Sequence, residues 1–220
     1  MNVNNVFTTK SEIVFNYLKN KILNNELEPG SDLIISKISN DLNVSPIPVR
    51  EALKSLEMEG LVELEAHKTA KVATINLDKL YQIGTIRAGL EGYAARLAAD
   101  YITDDQILKL NDILNEMNDA KEKKDSELFN NKNMEFHRFI YKIPPFPMLY
   151  DMIINVWDGG KWTRAIFAMS PDRMGKSIIE HHNILNALRE RDNNKVELLI
   201  REHRLNASKQ LEEIIRKQNI

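Results

Sequence analysis

The residues best placed to do chemistry are histidines. Five occur in 220 residues, four of them beyond position 130. His181 shares a helical face with Ile178, Leu185 and Leu188, and His203 with Val196, Ile200, Ala207, Leu211 and Ile214. His137 lies at the same kind of spacing beside Asn133, Ile140 and Tyr141, whereas His182 groups with Asn186 and Arg189 on a polar side. Apolar neighbours three, four and seven positions away mark the inward side of a helix. Three separate helices thus each aim one imidazole into the interior. Imidazole nitrogens joined by the amide oxygen of Asn133, one turn before His137, are a donor set for Zn²⁺, Ni²⁺ or Mn²⁺. An inward histidine is also an ordinary hydrogen-bonded core residue, and the pattern alone leaves both readings open. A helical-bundle metalloenzyme could use the same four residues to activate water or oxygen, but no carboxylate sits at a catalytic spacing beside them.

The elements that carry these residues are helical. From Asn76 onward every segment reads as helix: Leu77 to Tyr101, a span opened by the Thr103–Gln106 capping box and running to about Lys123, one capped by Ser126 and running to about Lys142, one from Met148 to Met169, one from Ser170–Asp172 to Arg191, and one from Lys195 to Lys217. Six helices without strands predict an all-α bundle over residues 76–220.

Residues 1–75 differ. Thr9 and Glu12 form a capping box for a helix from Lys10 to about Asn25, Ile34, Ile38 and Leu42 mark a short helix over 35–42, and Ser45 with Pro46 opens a third that reaches Glu59 and stops at Gly60. The period then becomes two through Val62, Leu64 and Ala66, with a return over Lys71–Ile75. Three helices and a hairpin predict a winged helix-turn-helix, the arrangement that lays a helix in the major groove. Val49, Ala52, Leu53 and Leu56 take the inward stripe of the third helix, leaving Arg50 and Lys54 outward at i, i+4. Arg offers a bidentate fork to guanine and Lys a point charge to phosphate. Charge alone does not argue for DNA, because this segment carries eight Lys and Arg against ten Asp and Glu, a net charge of −2. His67, Lys68 and Lys71 are wing candidates for phosphate or the minor groove, and equally residues of a solvated hairpin tip.

The motif decides between these readings. "NVSPIPVREALKSLEMEGLVE" resembles the helix-turn-helix of the GntR family of bacterial transcription regulators, with Val44, Ser45, Pro48, Val49, Arg50, Glu51, Ala52, Leu53, Leu56, Glu59, Gly60, Leu61 and Val62 matching in order. The resemblance implies DNA contact at Ser45, Pro46, Ile47, Arg50 and Lys54. Pro46-Ile47 stands where that family usually has Arg-Thr, and Thr69 where it has the glycine of the wing tip. "NMEFH" at Asn133–His137, "EHHNIL" at Glu180–Leu185 and His203, 22 residues after His181, resemble the metal-binding pattern of the FadR-type branch, whose helical domain is of the FCD type. Asn133 replaces the usual Asp. "IRAGLEGYAARLAAD" is similar to the opening helix of that domain, which makes Arg87 a candidate partner for an effector carboxylate and, alternatively, an ion-pair partner of Glu91.

Composition bounds the rest. At 43% apolar and 28% charged residues the chain has a globular, helix-rich profile, and zero cysteines exclude disulfides and thiolate metal sites. No run approaches 18 apolar residues and the N-terminus lacks a signal pattern, so a cytoplasmic protein without a membrane span is expected. The expected whole is a homodimeric regulator, not an enzyme, that binds palindromic operator DNA and answers to a small organic acid. A regulator whose histidines are structural stays open beside it.

Overall fold

The computed structural model describes residues 9–24, 26–64, 70–74, 76–158 and 165–218, so His67, Lys68 and Thr69 lie outside the described residues. The chain divides into two compact units, the first ending at Thr74.

In the first unit, α1 (Lys10–Leu23) starts with the expected capping box: Thr9 accepts from the Glu12 N–H while Glu12 accepts from the Thr9 N–H. Helix α2 (Ile35–Leu42) ends at Asn43 in the left-handed region, φ 50°. Helix α3 (Pro46–Met58) has proline at its first position. Pro48 also lies in the first turn, whose N–H groups have no helical partner to lose. Gly60, at φ 76°, ends α3 in a conformation that a side chain would strain, with the Leu61 N–H closing back on the Leu56 carbonyl. Val14 and Leu18 of α1 and Val49, Leu53 and Leu56 of α3 form the core.

The wing has three strands. β2 (Val62–Leu64) and β3 (Ala70–Val72) make the expected hairpin, and β1 (Asp32–Leu33) adds a third strand, giving the antiparallel order β1-β3-β2. Sequence period cannot reveal β1, since two residues have no period. Lys71 is central, opposite Asp32 on one side and Glu63 on the other.

The second unit is helical throughout its described residues: α4 (Leu77–Tyr101), α5 (Asp104–Glu122), α6 (Ser126–Lys142), α7 (Pro147–Asp158), α8 (Ala165–Met169), α9 (Asp172–Arg189) and α10 (Asn193–Gln218). The single helix expected over Met148–Met169 is described as two pieces, α7 and α8. Ser126 is not the cap of α6. Asp125 is, its carboxylate accepting from the Leu128 N–H, and Ser126 is a buried first-turn residue. Negative charge at a helix N-terminus is favoured by the macrodipole, which explains why Asp displaces Ser.

Helices α4 and α10 lie antiparallel along much of their length. Asn193 donates to Asp100 at 2.6 Å near one end, and Gly84 meets Ser208 toward the other. A Cβ on Gly92 would stand 2.6 Å from Arg201 Cγ and 3.3 Å from the Glu197 carbonyl oxygen, so the two helices close to a distance only glycine permits. That approach brings Arg204 of α10 onto Glu91 of α4. The fold is mainly α: a winged helix-turn-helix with a small sheet, followed by a helical bundle.

Candidate metal and ligand site

His137 of α6, His181 of α9 and His203 of α10 meet in the bundle interior, each buried. The Nε2 atom of His137 stands 3.2 Å from Nε2 of His203 and 3.1 Å from Nε2 of His181. Phe136 covers the cluster edge-on, its ring centre 4.7 Å from that of His181.

The partners of the other ring nitrogens fix the tautomers. His181 Nδ1 is 2.6 Å from the Ser177 carbonyl oxygen, which can only accept. His203 Nδ1 is 2.6 Å from Glu180 Oε2, again an acceptor. Tyr141 gives its own proton to Glu91 Oε2 at 2.7 Å, so its oxygen accepts from His137 Nδ1 at 3.2 Å. All three imidazoles therefore carry hydrogen on Nδ1 and turn a bare Nε2 lone pair to the centre. Burial, joined by the positive charge of Arg204 for His137 and His203 and by His203 for His181, holds all three well below the usual histidine range. They are neutral at physiological pH.

Three lone pairs pointed at one another in a dry interior repel, and no proton is available to bridge them. A cation removes the conflict. Two nitrogens each roughly 2.0–2.1 Å from a shared ion at angles of about 90–110° stand about 2.9–3.4 Å apart, and both separations from His137 Nε2 fall in that range. Acceptors behind each Nδ1–H are the usual outer shell of metal-binding histidines. Asn133 Oδ1 is buried with no hydrogen-bond partner among the described residues, one helical turn before His137. The donor set fits a borderline divalent ion.

Beside the histidines lies a cavity of about 60 Å³ whose lining includes Arg87, Asn133, Trp157, Arg173, His203 and Arg204. Roughly 10–15 Å³ of such space holds one water, so this one admits a compact ligand. Arg87 is an ion-pair partner of Glu91, Nε to Oε1 at 2.6 Å, and a wall of the cavity as well. Its two sequence readings are compatible. Glu91 is fully buried and also accepts from Trp157 Nε1 at 2.8 Å, from Tyr141 and from Arg204 Nε. Burial alone would raise its carboxyl, but Arg204 and Arg87, with hydrogen bonds from Arg87 and Tyr141, bring it down to about 2. Among the described residues, Arg87, Arg173 and Arg204 against Glu91 and Glu180 leave a formal charge of +1 around the cavity before any metal is added. Such a site favours anions.

Sequence periodicity brought together Asn133, His137, Tyr141, His181 and His203. It missed Glu91, Ser177 and Glu180 as orienting groups, and Trp157, Arg173 and Arg204 as lining. Ser177 was readable in principle, four residues before His181, whereas Arg204 follows His203 directly and its reach to Glu91 depends on packing between α10 and α4.

On the first unit, Ser45, Pro46, Ile47, Arg50 and Lys54 are all exposed at or near the start of α3. Ser45 flanks the helix, yet its hydroxyl makes no capping bond. Neither Arg50 nor Lys54 forms an ion pair among the described residues. Lys71 is half-buried between Asp32 and Glu63 in register, which dilutes its charge.

Residues 10–72 match the bacterial regulatory proteins of the gntR family, and residues 82–206 match the FCD domain. The HTH-type transcriptional regulator McbR of Escherichia coli K12 is 30% identical over 181 residues, spanning 81% of this chain and 82% of that protein. The HTH-type transcriptional repressor RspR of the same organism is 28% identical over 203 residues, 91% of this chain and 88% of that one. The solved structure of E. coli McbR/YncC superposes with a TM-score of 0.62 at 26% identity, covering 96% of this chain and 99% of its own.

Depressed histidine pKa values make the metal-free protein acid-sensitive. The unfolded chain takes up protons at these imidazoles below about pH 6.5, while the folded chain resists until lower pH. The stability they contribute is thus complete above that pH and is lost as pH falls toward the folded-state values. In scanning calorimetry with chelator present, the melting temperature is expected to drop between pH 7.5 and 5.5, and to drop less in His203→Gln. A wild-type melting temperature independent of pH over that range would contradict the lowered histidine pKa values.

Proposed function

Since this chain belongs to the gntR family of bacterial regulatory proteins and carries an FCD domain, we propose that its helical unit holds a divalent metal and a small organic acid, and that the acid alters how a homodimer grips palindromic operator DNA. The chain is a DNA-binding transcription regulator and not an enzyme. Its place of work on this reading is the cytoplasm, and no helix among the described residues is long and apolar enough to cross a membrane.

The observation that carries the metal reading is the convergence of three unprotonated Nε2 atoms whose Nδ1–H groups are all spoken for. Asn133, His137, His181 and His203 are the proposed ligands, with Zn²⁺, Ni²⁺ or Mn²⁺ as candidates for the ion. When bound, the ion supplies a Lewis-acidic centre for an anionic oxygen. Arg87 is the proposed partner of the acid, held in place by Glu91. A regulator results only if the acid binds one dimer geometry more tightly than the other, which sets an upper limit on the response.

At the DNA, Arg50 is assigned a base contact and Lys54 a phosphate contact. Ser45 is assigned a further contact through its uncapped hydroxyl. Pro46 and Ile47 present apolar surface beside it, suited to a thymine methyl and unable to replace the Arg-Thr hydrogen bonds. Lys71, and His67 and Lys68 outside the described residues, are the wing candidates. Two-fold dimerisation doubles a readout that is too small in one recognition helix.

Two experiments test these assignments. Asn133→Asp keeps the shape of the side chain and adds a charge, so titration of metal-stripped protein at fixed pH should show tighter Zn²⁺ binding and weaker binding of an acid. Glu180→Gln should weaken Zn²⁺ about 10–100-fold by loosening His203. Unchanged Zn²⁺ affinity in both variants would make the histidines core residues. On a selected operator, Arg50→Ala should cost about 1–3 kcal/mol, and equal affinity of variant and wild type would remove Arg50 from the base-reading set.

A further inference from the structure

In the helical unit two buried polar atoms lack a partner among the described residues, Asn133 Oδ1 and Arg173 Nε, and both residues line the same cavity. Asn133 has a role in the proposed metal site. Arg173 has none so far. It lies in the first turn of α9, is 1% exposed and pairs through Nη2 with Glu180 Oε2, the same oxygen that accepts from His203 Nδ1.

The three guanidiniums around the cavity are not equivalent. Arg87 and Arg204 both donate to Glu91, a carboxylate dedicated to them and to two neutral donors. Arg173 has only a share of Glu180, and its Nε–H meets no acceptor among the described residues. A buried N–H left unpaired costs free energy, and such groups in folded proteins call for an explanation. A guanidinium is built to hold a carboxylate oxygen on that edge.

The geometry points to Arg173 as a second anion-binding residue of this cavity, which makes its ligand a compact dicarboxylate and not a monocarboxylate. This inference rests on the reading of the helical unit as a metal and acid site. One acidic group goes to the metal and Arg87, the other to Arg173. The charge balance agrees, since a divalent ion raises the formal +1 of the surrounding side chains to +3. A monocarboxylate leaves +2 buried there, whereas a dicarboxylate leaves +1. The volume of about 60 Å³ suits a chain of a few carbons.

Succinate and butyrate, which share a four-carbon chain and differ in one acidic group, separate the alternatives. In calorimetric titration of zinc-loaded full-length protein, wild type should bind succinate at least tenfold more tightly than butyrate. With zinc kept saturating for each variant, Arg173→Gln should weaken succinate tenfold or more and butyrate less than threefold. Arg173→Lys keeps the charge without the Nε donor and should lose part of the preference. It carries the same comparison if the Gln variant does not fold. Equal weakening of both acids, no weakening of either, or a wild type that binds butyrate as tightly as succinate overturns the assignment. Should wild type bind acids while Arg173→Gln behaves like it, only Arg173 is wrongly placed. Should wild type bind neither Zn²⁺ nor either acid, the reading of the site falls with it.

Discussion

One buried carboxylate holds the helical unit's polar interior together. Glu91 takes hydrogen bonds from Arg87 on its own helix, Tyr141 on α6, Trp157 on α7 and Arg204 on α10, so a single anion ties four helices. The cost of burying it is offset because every partner is present at once. Removal of any cationic partner would strand charge in the interior, a change that typically costs about 3–5 kcal/mol. Glu91 also acts at a distance. By accepting the Tyr141 proton it leaves the phenol oxygen free to accept from His137, and thereby settles which nitrogen of that imidazole faces the centre.

The same logic repeats around the cluster. A backbone carbonyl does for His181, and Glu180 for His203, what Tyr141 does for His137. Three different acceptors yield one outcome, a bare lone pair inward. A histidine core built for stability alone would pair nitrogen donors with nitrogen acceptors, and this one forgoes that. On the proposed reading of the site the protein supplies neutral ligands, so an ion bound there would keep its charge for an anionic effector. Asn133 in place of Asp extends this choice.

Much of this was legible in the sequence, and the parts that were not have physical reasons. Helical period put Asn133, His137 and Tyr141 on one face because they are all on α6 at four-residue steps. Capping boxes placed the starts of α1 and α5, since their signal is local. β1 was hidden because two residues acquire strand geometry only from β3 beside them. Asp125 took the cap expected of Ser126, a one-residue difference that preference scales do not resolve. The larger omission was the set of groups that orient and surround the histidines. Glu91, Glu180 and Arg173 read in sequence as ordinary charged residues of amphipathic helices, and only the packing of α10 against α4 and α9 brings Arg204 to Glu91 and His203 to Glu180. Resemblance to the GntR family supplied function where net charge, at −2 for the first 75 residues, pointed away from DNA.

The central claim is that the three histidines are ligands and not packing. X-ray absorption at the zinc edge of the full-length protein, loaded with one equivalent of Zn²⁺ and freed of loose metal, tests it most directly. The expected spectrum has an imidazole-dominated nitrogen shell at about 2.0–2.1 Å, at one zinc per chain, and loses that signature in His181→Ala. Failure to retain a stoichiometric ion, or a shell of water oxygens that is the same in wild type and His181→Ala, would contradict it.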